Sequence, residues 1–276
     1  MRVCIIGIDG LEYNLVRKWK LRGLMQKRYG YFIVTDEYFN KEGVPYTPKV
    51  WATVISGIKP KEHKVSGFYS WGKVLDLIRR APIVRHIRGK RFLAYKLGLK
   101  PKASRVSNSL FDLTEDAIAV YVPGYNDVLK VYLTILKSFK GGMFLKEGLN
   151  EYVKTIWRIH KLRKKRTFEE IKKDWKLFMT YFDLLDLLGH LYYVKYPKKL
   201  RIAYMEMDRV VEKIRRIVPE DTVILILSDH GMEESPDSIT GNHSGRAFWS
   251  INIDTEWRPE DFTDIYKAVV RWLGSS

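Results

Sequence analysis

Two adjacent side chains with the chemistry of metal ligands, Asp229 and His230, follow an apolar run in the second half of the chain. Residues 223–227 are five consecutive apolar residues, three of them β-branched, which is typical of a strand buried on both faces of a parallel sheet. Ligands of open α/β sheets bind outside the carboxyl ends of the strands. The pair is therefore a candidate for metal binding or catalysis. The alternative is a helix cap beside a surface histidine.

A second carboxylate, Asp9, has the same kind of position near the start of the chain. Residues 3–8 are an apolar run that ends in Asp9 and Gly10, and a helical pattern follows over residues 13–26. Because the carboxyl ends of parallel strands face one crevice, we expect Asp9 to lie near Asp229.

Asp186 and His190 follow a third predicted strand, residues 178–182. If a short helix begins near Asp186, the spacing of four residues places both side chains on one face, as metal ligation requires. Asp183 is the competing carboxylate. The structural alternative makes His190 a half-buried polar residue on an apolar helix.

His243 is the last candidate, in the segment 241–245, which we predict to be a flexible loop. The candidate ligands then offer only carboxylate oxygens and imidazole nitrogens: Asp9, Asp186, His190, Asp229, His230 and His243. A set without thiolate suits Zn²⁺ or Mn²⁺. Two such ions side by side form the clamp that stabilises the attacking and leaving oxygens in phosphoryl transfer.

Thr47 is the candidate nucleophile. Thr47 is an acceptable N-cap, Pro48 suits the first position of a helix, and Gly57 suits its end. The start of a helix presents free amide N–H groups and the positive end of a dipole, which bind phosphate and favour ionisation of a hydroxyl. The alternative is that Thr47 serves only as a cap.

Four blocks of this sequence, taken in order, resemble a known family. They resemble the type I phosphodiesterase/nucleotide pyrophosphatase branch of the alkaline phosphatase superfamily, and in particular its small archaeal members. The blocks are residues 6–10; Thr47 with Trp51, Ala52, Thr53, Ser56, Gly57, Pro60 and His63; residues 186–190; and residues 228–232 with His243 after them. They span most of the chain, and residues 70–176 match only loosely.

The resemblance implies a role for each candidate. Thr47 would be the nucleophile of a metal-dependent phosphoric ester hydrolase and would form a phosphothreonine intermediate that water then cleaves. Two divalent metal ions, Zn²⁺ or alternatively Mn²⁺, would be bound by two sets of ligands. The first set would be Asp186, His190 and His243, and the second would be Asp9, Asp229 and His230 together with Thr47.

The sequence departs from the family pattern in the second block. The family usually has Gly-Ile after the histidine of this block, and Lys64 and Val65 follow His63 here. Diesterases of the group often carry an asparagine downstream that helps to bind the phosphoryl group, and Phe68 lies near that position. Both departures weaken the specific expectation of nucleotide pyrophosphatase activity.

The elements that position these residues predict one α/β domain over residues 1–276. We expect a mostly parallel central sheet with helices on both faces, as in alkaline phosphatase, and helical insertions at about residues 70–105 and 140–175. A content of 46% hydrophobic and 29% charged residues excludes disordered and fibrous classes. The single cysteine, Cys4, excludes a disulfide framework and is expected to be a small buried hydrophobe.

The net charge of +17 predicts an anionic partner, here a phosphate-ester substrate, or alternatively a solvated basic surface. The basic insert at 70–105 fits peripheral contact with an anionic membrane or nucleic acid, or a helical cap with a solvated face. For the second basic run, residues 161–166, an exposed helix end is preferred to a nucleic-acid patch. With no signal-peptide pattern and no apolar run near the ~20 residues of a membrane span, we expect a cytoplasmic protein.

Other functions stay open at this stage. Within enzymes, the alternatives are a phosphomutase, a phosphonate hydrolase and a transferase or hydrolase acting on a lipid-linked phosphate at the membrane surface. Outside catalysis, the alternative is a basic binding protein on a degenerate hydrolase scaffold. The complete ligand set argues against the last one, because a scaffold without activity is expected to have lost at least one ligand. The sequence does not predict an oligomeric state.

Overall fold

The structure is a computed structural model that describes residues 1–65, 67–70, 102–126 and 146–274. Most of the predicted basic insert at 70–105 and the first part of the predicted insertion at 140–175 lie outside these ranges. The described strands are β1 (Arg2–Ile8), β2 (Arg28–Ile33), β3 (Tyr69–Ser70), β4 (Lys102–Ala103), β5 (Ala117–Val120), β6 (Leu177–Phe182), β7 (Thr222–Leu227), β8 (Gly231–Glu234), β9 (Gly241–Ser244) and β10 (Arg246–Ile251).

Six of these strands form one sheet in the order β2-β10-β7-β1-β6-β5. Strand β1 pairs in parallel with β6 and β7, β5 pairs in parallel with β6, and β10 runs antiparallel to both β7 and β2. All residues of β6 and β7 are buried, which agrees with their continuous apolar sequences. The predicted mostly parallel sheet is confirmed.

Helices cover both faces of the sheet. They are α1 (Tyr13–Lys18), α2 (Arg22–Met25), α3 (Thr47–Ser56), α4 (Pro60–His63), α5 (Lys146–Glu170), α6 (Leu184–Tyr192), α7 (Pro197–Ile217) and α8 (Phe262–Leu273). Cys4 and Ile6 of β1 point into the core with α5, α6 and α7, whereas Val3 and Ile5 point into the core with α3 and α8. Alternate residues of one strand therefore hold the two layers, and Cys4 is buried as predicted.

Of the helices in the described ranges, none combines the length and the apolar character that crossing a membrane requires. The expected cytoplasmic location stays a prediction.

The helical pattern predicted over residues 13–26 is present but interrupted. The chain forms the two short helices α1 and α2 there, because Lys20 has a left-handed backbone with φ of 53°. A left-handed residue ends a helix, and glycine is the usual signal for it. Lysine carries no such signal, so the break is not visible in the sequence.

The predicted flexible loop at residues 241–245 is wrong. Residues Gly241–Ser244 are β9, which pairs antiparallel with β8 so that His243 lies opposite Met232. Gly241 is needed for close packing, because a Cβ atom there would lie 2.5 Å from the carbonyl oxygen of Gly189. This contact joins the hairpin of β8 and β9 to α6.

The prediction of an exposed helix end for the basic run at residues 161–166 is wrong. It lies in the second half of α5, which continues to Glu170, and its faces differ in exposure. Arg163 is buried and donates to Asp183 over 3.0 Å, from the guanidinium Nη2 to the carboxylate Oδ2. The described part of the predicted insertion at 140–175 is thus helical, and it packs against β5 and β6.

Candidate metal centre

The carboxyl ends of three adjacent strands bring the predicted ligands together. Asp9 directly follows β1, Asp229 and His230 follow β7, and Asp186 lies in the first turn of α6 just after β6. Because β1 lies between β6 and β7 in the sheet, these three ends meet at one edge. The hairpin of β8 and β9 adds His243 from the side. The structure therefore collects all six predicted ligands in one place.

Asp186 is the centre of the first cluster. Its Oδ1 atom lies 3.2 Å from Nε2 of His190, 3.3 Å from Nε2 of His243 and 3.9 Å from Nε2 of His230. The Nε2 atoms of His190 and His243 are 3.1 Å apart. Four potential ligand atoms thus lie close together. They come from the three residues of the first set that the resemblance implies and, in addition, from His230.

His230 joins this cluster to the second one. Its Nε2 atom lies 3.2 Å from Oδ1 of Asp9 and 3.4 Å from Oδ2 of Asp229. Its ring stacks on that of His243, with centroids 3.6 Å apart and planes 15° apart. Among the described residues, two groups of three meet the geometric requirement for a shared ion: Asp186 with His230 and His243, and Asp9 with Asp229 and His230.

The donor atoms of the site fit divalent metal ions. Five buried atoms have no hydrogen-bond partner within the described residues: Oδ1 of Asp9, Oδ1 of Asp186, both carboxylate oxygens of Asp229 and Nε2 of His230. A buried polar atom left without a partner costs about 1–3 kcal/mol, so such a concentration indicates an absent ligand. Oxygen and imidazole nitrogen are the donors that Zn²⁺ and Mn²⁺ accept.

Backbone carbonyls orient all three imidazoles in the same way. The Nδ1–H groups of His190, His230 and His243 donate to the carbonyl oxygens of Gly241, Gly231 and Pro45, over 2.8, 2.9 and 2.9 Å respectively. A ring that donates through Nδ1 presents the lone pair of Nε2, which is the arrangement found in metal-binding histidines. The Nε2 atoms are the ones that converge on the carboxylates.

The charges of the site depend strongly on one another. Burial alone would lower the pKa of His190, but the Asp186 carboxylate outweighs it and raises the pKa to about 9. Burial would raise the pKa of Asp186, and the charge of His190 instead holds it well below its usual range. Burial and the neighbouring Asp9 raise the pKa of Asp229 well above its usual range. The carboxylates of the second cluster therefore carry more negative charge than its imidazole can neutralise, which favours binding of a cation.

Thr47 reaches the second cluster, although not as a helix cap. It is the first residue of α3, and Tyr46 occupies the cap position without a side-chain cap bond, so the predicted N-cap role is wrong. Thr47 is instead a buried residue, only 6% exposed, and the interaction of its hydroxyl with Asp229 opposes the rise in the pKa of that carboxyl. Gly57 ends the helix with φ of 69°, as predicted.

The remaining residues of the sequence motifs lie around the site and not in it. Asp183, the competing carboxylate, occupies the cap position of α6 and is held by Arg163. The Nε2 atom of His63 lies 3.1 Å from the hydroxyl of Thr53, so His63 ties α4 to α3.

Tyr181 supports the site and has no signal in the sequence, because a tyrosine within a buried strand is typical of core packing. Its hydroxyl donates to Oδ2 of Asp9, which leaves Oδ1 directed at His230. Burial and the charge of Asp9 raise the pKa of Tyr181 well above its usual value, so the hydroxyl keeps its proton. The ring also packs edge-on against Trp51 of α3, with centroids 5.3 Å apart.

Glu12 is a second residue that sequence reasoning missed. It is fully buried, and its two oxygens accept from the backbone N–H groups of Asn14 and Met232 over 3.0 and 3.1 Å, from the Ser244 hydroxyl over 3.0 Å and from Nε of Arg246 over 3.1 Å. These donors lie in α1, β8, β9 and β10. Glu12 therefore fastens the hairpin that carries His243 to the segment that follows Asp9. Its short distance from Asp9 in the sequence is the one signal that could have found it.

A mostly parallel sheet with carboxylates and imidazoles gathered at its carboxyl edge is the architecture of the alkaline phosphatase superfamily. The chain belongs to the type I phosphodiesterase / nucleotide pyrophosphatase family, whose sequence pattern matches residues 3–248. The resemblance found in the sequence is thereby confirmed.

Individual relatives are distant. GPI ethanolamine phosphate transferase 2 of Yarrowia lipolytica is 30% identical over 112 residues, which are 35% of this chain and 12% of that protein. The solved murine ectonucleotide pyrophosphatase / phosphodiesterase 5 is 14% identical with a TM-score of 0.48, and the human protein is 13% identical with a TM-score of 0.45. Both matches cover 86% of this chain and 59% of the other. The chain thus spans less than two thirds of each relative.

Proposed function

We propose that the protein is a metal-dependent phosphoric ester hydrolase of the phosphodiesterase and nucleotide pyrophosphatase type, with Thr47 as its nucleophile. One observation carries the proposal. The two clusters of carboxylates and imidazoles contain buried atoms without hydrogen-bond partners in the described chain, and Thr47 is a buried neighbour whose hydroxyl interacts with Asp229 of the second cluster. Membership of the family supports the same type of reaction.

The chain offers two places for divalent metal ions. Asp186, His190 and His243 would hold one ion, and Asp9, Asp229 and His230 would hold the other together with Thr47. Such ions act as Lewis acids on phosphoryl oxygens and lower the pKa of the hydroxyl and water that they bind. Zn²⁺ is the ion we expect, and Mn²⁺ is the alternative for the same donors.

Thr47 would attack phosphorus from the start of α3. The bond from its oxygen to phosphorus forms as the bond to the leaving oxygen breaks, which gives a phosphothreonine and frees the first alcohol. A water molecule then attacks the same phosphorus, restores the threonine hydroxyl and releases the phosphate or phosphomonoester. The positive end of the α3 dipole would favour the negative charge on the phosphoryl oxygens.

The test combines metal analysis with a panel of substrates. Purified protein is analysed for bound metal and assayed with a chromogenic diester, monoester and sulfate ester, with and without chelator. We expect about two ions per chain and chelator-sensitive hydrolysis with a preference for phosphate esters. An absence of chelator-sensitive turnover on all three substrates would contradict the proposal. Thr47→Ser is the informative variant, because it keeps a hydroxyl and should keep part of the rate, whereas Thr47→Ala should not.

A second candidate is transfer of the phosphoryl group to an alcohol in place of water. The partial match to a GPI ethanolamine phosphate transferase favours it, although that match covers 12% of the relative. The same phosphothreonine would serve both reactions, and the acceptor decides between them. Adding glycerol or ethanolamine to the diester assay distinguishes the two. A transferase yields mainly the new ester, and a hydrolase yields mainly the hydrolysed product.

A further inference from the structure

A groove of about 570 Å³ lies between α5 and α7, on the side of the sheet opposite to α3 and α8. Its walls carry six basic side chains and one acidic one. The basic residues are Arg158, Lys161, Lys164, Lys165, Arg209 and Lys213. The acidic residue is Glu206. The groove shares no residue with the candidate metal centre.

Its positive charge is not cancelled by neighbouring carboxylates. Glu206 is already paired within the protein, with Nζ of Lys164 at 2.5 Å and Nε2 of His160 at 3.3 Å from its Oε1 atom. Lys165 makes a weak contact of 3.7 Å with Glu169. Within the described part of the chain, the other four cations have no carboxylate within 4.0 Å, so the groove attracts an anion.

Exposed apolar side chains lie beside these cations. Leu162, which lines the groove, is 54% exposed, and Ile202 and Met205 of α7 are 61% and 37% exposed. Ile202, Met205 and Arg209 are spaced by three and four residues, so they share one face of α7. Exposure of large aliphatic side chains to water is unfavourable, and covering them with an apolar medium lowers the free energy.

We propose that this face, formed by the groove and by Ile202 and Met205, binds the surface of a bilayer that contains anionic phospholipid. Such binding has two contributions. Cations contact the lipid phosphates, and aliphatic side chains enter the boundary between the headgroups and the acyl chains. A single-stranded nucleic acid would use the cations but would also stack its bases on aromatic rings. Phe168 is the aromatic ring of the groove, and Nζ of Lys213 covers one of its faces at 4.5 Å from the centroid.

The test measures binding of the full chain to vesicles by flotation. The vesicles contain either phosphatidylcholine alone or phosphatidylcholine with 30 mol% phosphatidylglycerol, a fraction of about one third that gives a negative surface. The charge variant is K161Q/R209Q/K213Q, and its matched control K61Q/R258Q/R271Q removes the same charge from exposed positions elsewhere. The apolar variant is L162S/I202S. Circular dichroism and thermal unfolding confirm that every variant is folded.

We expect binding to the anionic vesicles only. Each basic residue near such a surface contributes a factor of about five, so the charge variant should bind at least tenfold more weakly, and the control should stay within about threefold of the wild type. The apolar variant should also lose at least about fivefold, with unchanged binding to a fluorescent 20-mer oligonucleotide, a length of about two duplex turns.

Three results would overturn the proposal. The first is equal loss in the charge variant and its control, which would show diffuse attraction by a basic protein. The second is unchanged vesicle binding by the apolar variant. The third is binding to the oligonucleotide without binding to anionic vesicles, which would assign the groove to nucleic acid. None of these results depends on hydrolase activity, so this test and the test of the proposed function are independent of each other.

Discussion

The buried carboxylate of Glu12 gives the sharpest test of how the site is built. Among the described residues, the hydrogen-bond partners of its two oxygens are all donors: backbone N–H groups, the Ser244 hydroxyl and the Arg246 guanidinium. Only a carboxylate offers acceptors on both oxygens. Glu12→Gln keeps the shape of the side chain and replaces one acceptor by an NH2 group that faces donors.

The magnitude follows from those contacts. A hydrogen bond to a charged group contributes about 1.5–3 kcal/mol, and a buried donor left without an acceptor costs about 1–3 kcal/mol. Glu12→Gln weakens the contact with Arg246, whose side chain is 27% exposed, and leaves at least one donor facing the new amide. We therefore expect the free energy of unfolding to fall by about 2–3 kcal/mol.

The assay is unfolding by urea, monitored by tryptophan fluorescence. Chelator is present so that metal binding does not contribute to the measured stability. The matched control is Glu256→Gln, the same chemical change in a side chain that is 99% exposed and paired with Arg28 at 2.8 Å. It should cost less than about 0.5 kcal/mol. A loss for Glu12→Gln as small as that of the control would show that these hydrogen bonds do not stabilise the fold. Because Glu12 fastens the hairpin that carries His243, the variant should also bind metal more weakly.

Three further predictions concern the site and the helix beside it. Tyr181→Phe removes the donor to Asp9 and should weaken metal binding, measured by calorimetry, by about 10- to 100-fold. The free energy of unfolding should fall by only about 1 kcal/mol. Unchanged metal affinity would contradict the role of the hydroxyl. Hydrogen bonding from His160 lowers the pKa of Glu206 from 4.5 to about 2, so its stabilising contribution is complete above pH 4.5 and disappears as the pH falls towards 2. Glu206→Gln should therefore reduce the unfolding free energy by about 1–2 kcal/mol at pH 7 and by nearly nothing at pH 2, and an equal deficit at both values would be inconsistent with this pairing. Because the pKa of the metal-free His190 is about 9, metal binding below that pH should release a proton and strengthen as the pH rises, and calorimetric heats that do not depend on the buffer would argue against it.

The strand ends of the site could be predicted because their signals are local. The apolar runs before Asp9 and Asp229 identify buried strands, and parallel strands place their carboxyl ends together. The spacing of Asp186 and His190 within one helix turn is equally local, and α6 has the predicted form. These parts needed no knowledge of distant contacts.

The missed features depend on contacts between distant residues. The strand that carries His243 exists because it pairs with β8 and packs on Gly189, and neither contact is visible in the segment 241–245. Likewise, the donors to Glu12 in β8, β9 and β10 lie more than 200 residues away in the sequence. A glutamate after a strand looks like a surface residue until those donors are placed around it.

The proposed function depends on Thr47 as the nucleophile of a metal-dependent site. The most direct measurement is hydrolysis of a chromogenic diester by the wild type and by Thr47→Ala, with the metal content of both proteins determined in the same preparations. With Asp186, His190 and His243 intact, we predict that the variant retains metal and that its kcat/KM falls by at least about a thousandfold. Chelator-sensitive hydrolysis by metal-loaded Thr47→Ala within about tenfold of the wild type would show that Thr47 is not the nucleophile.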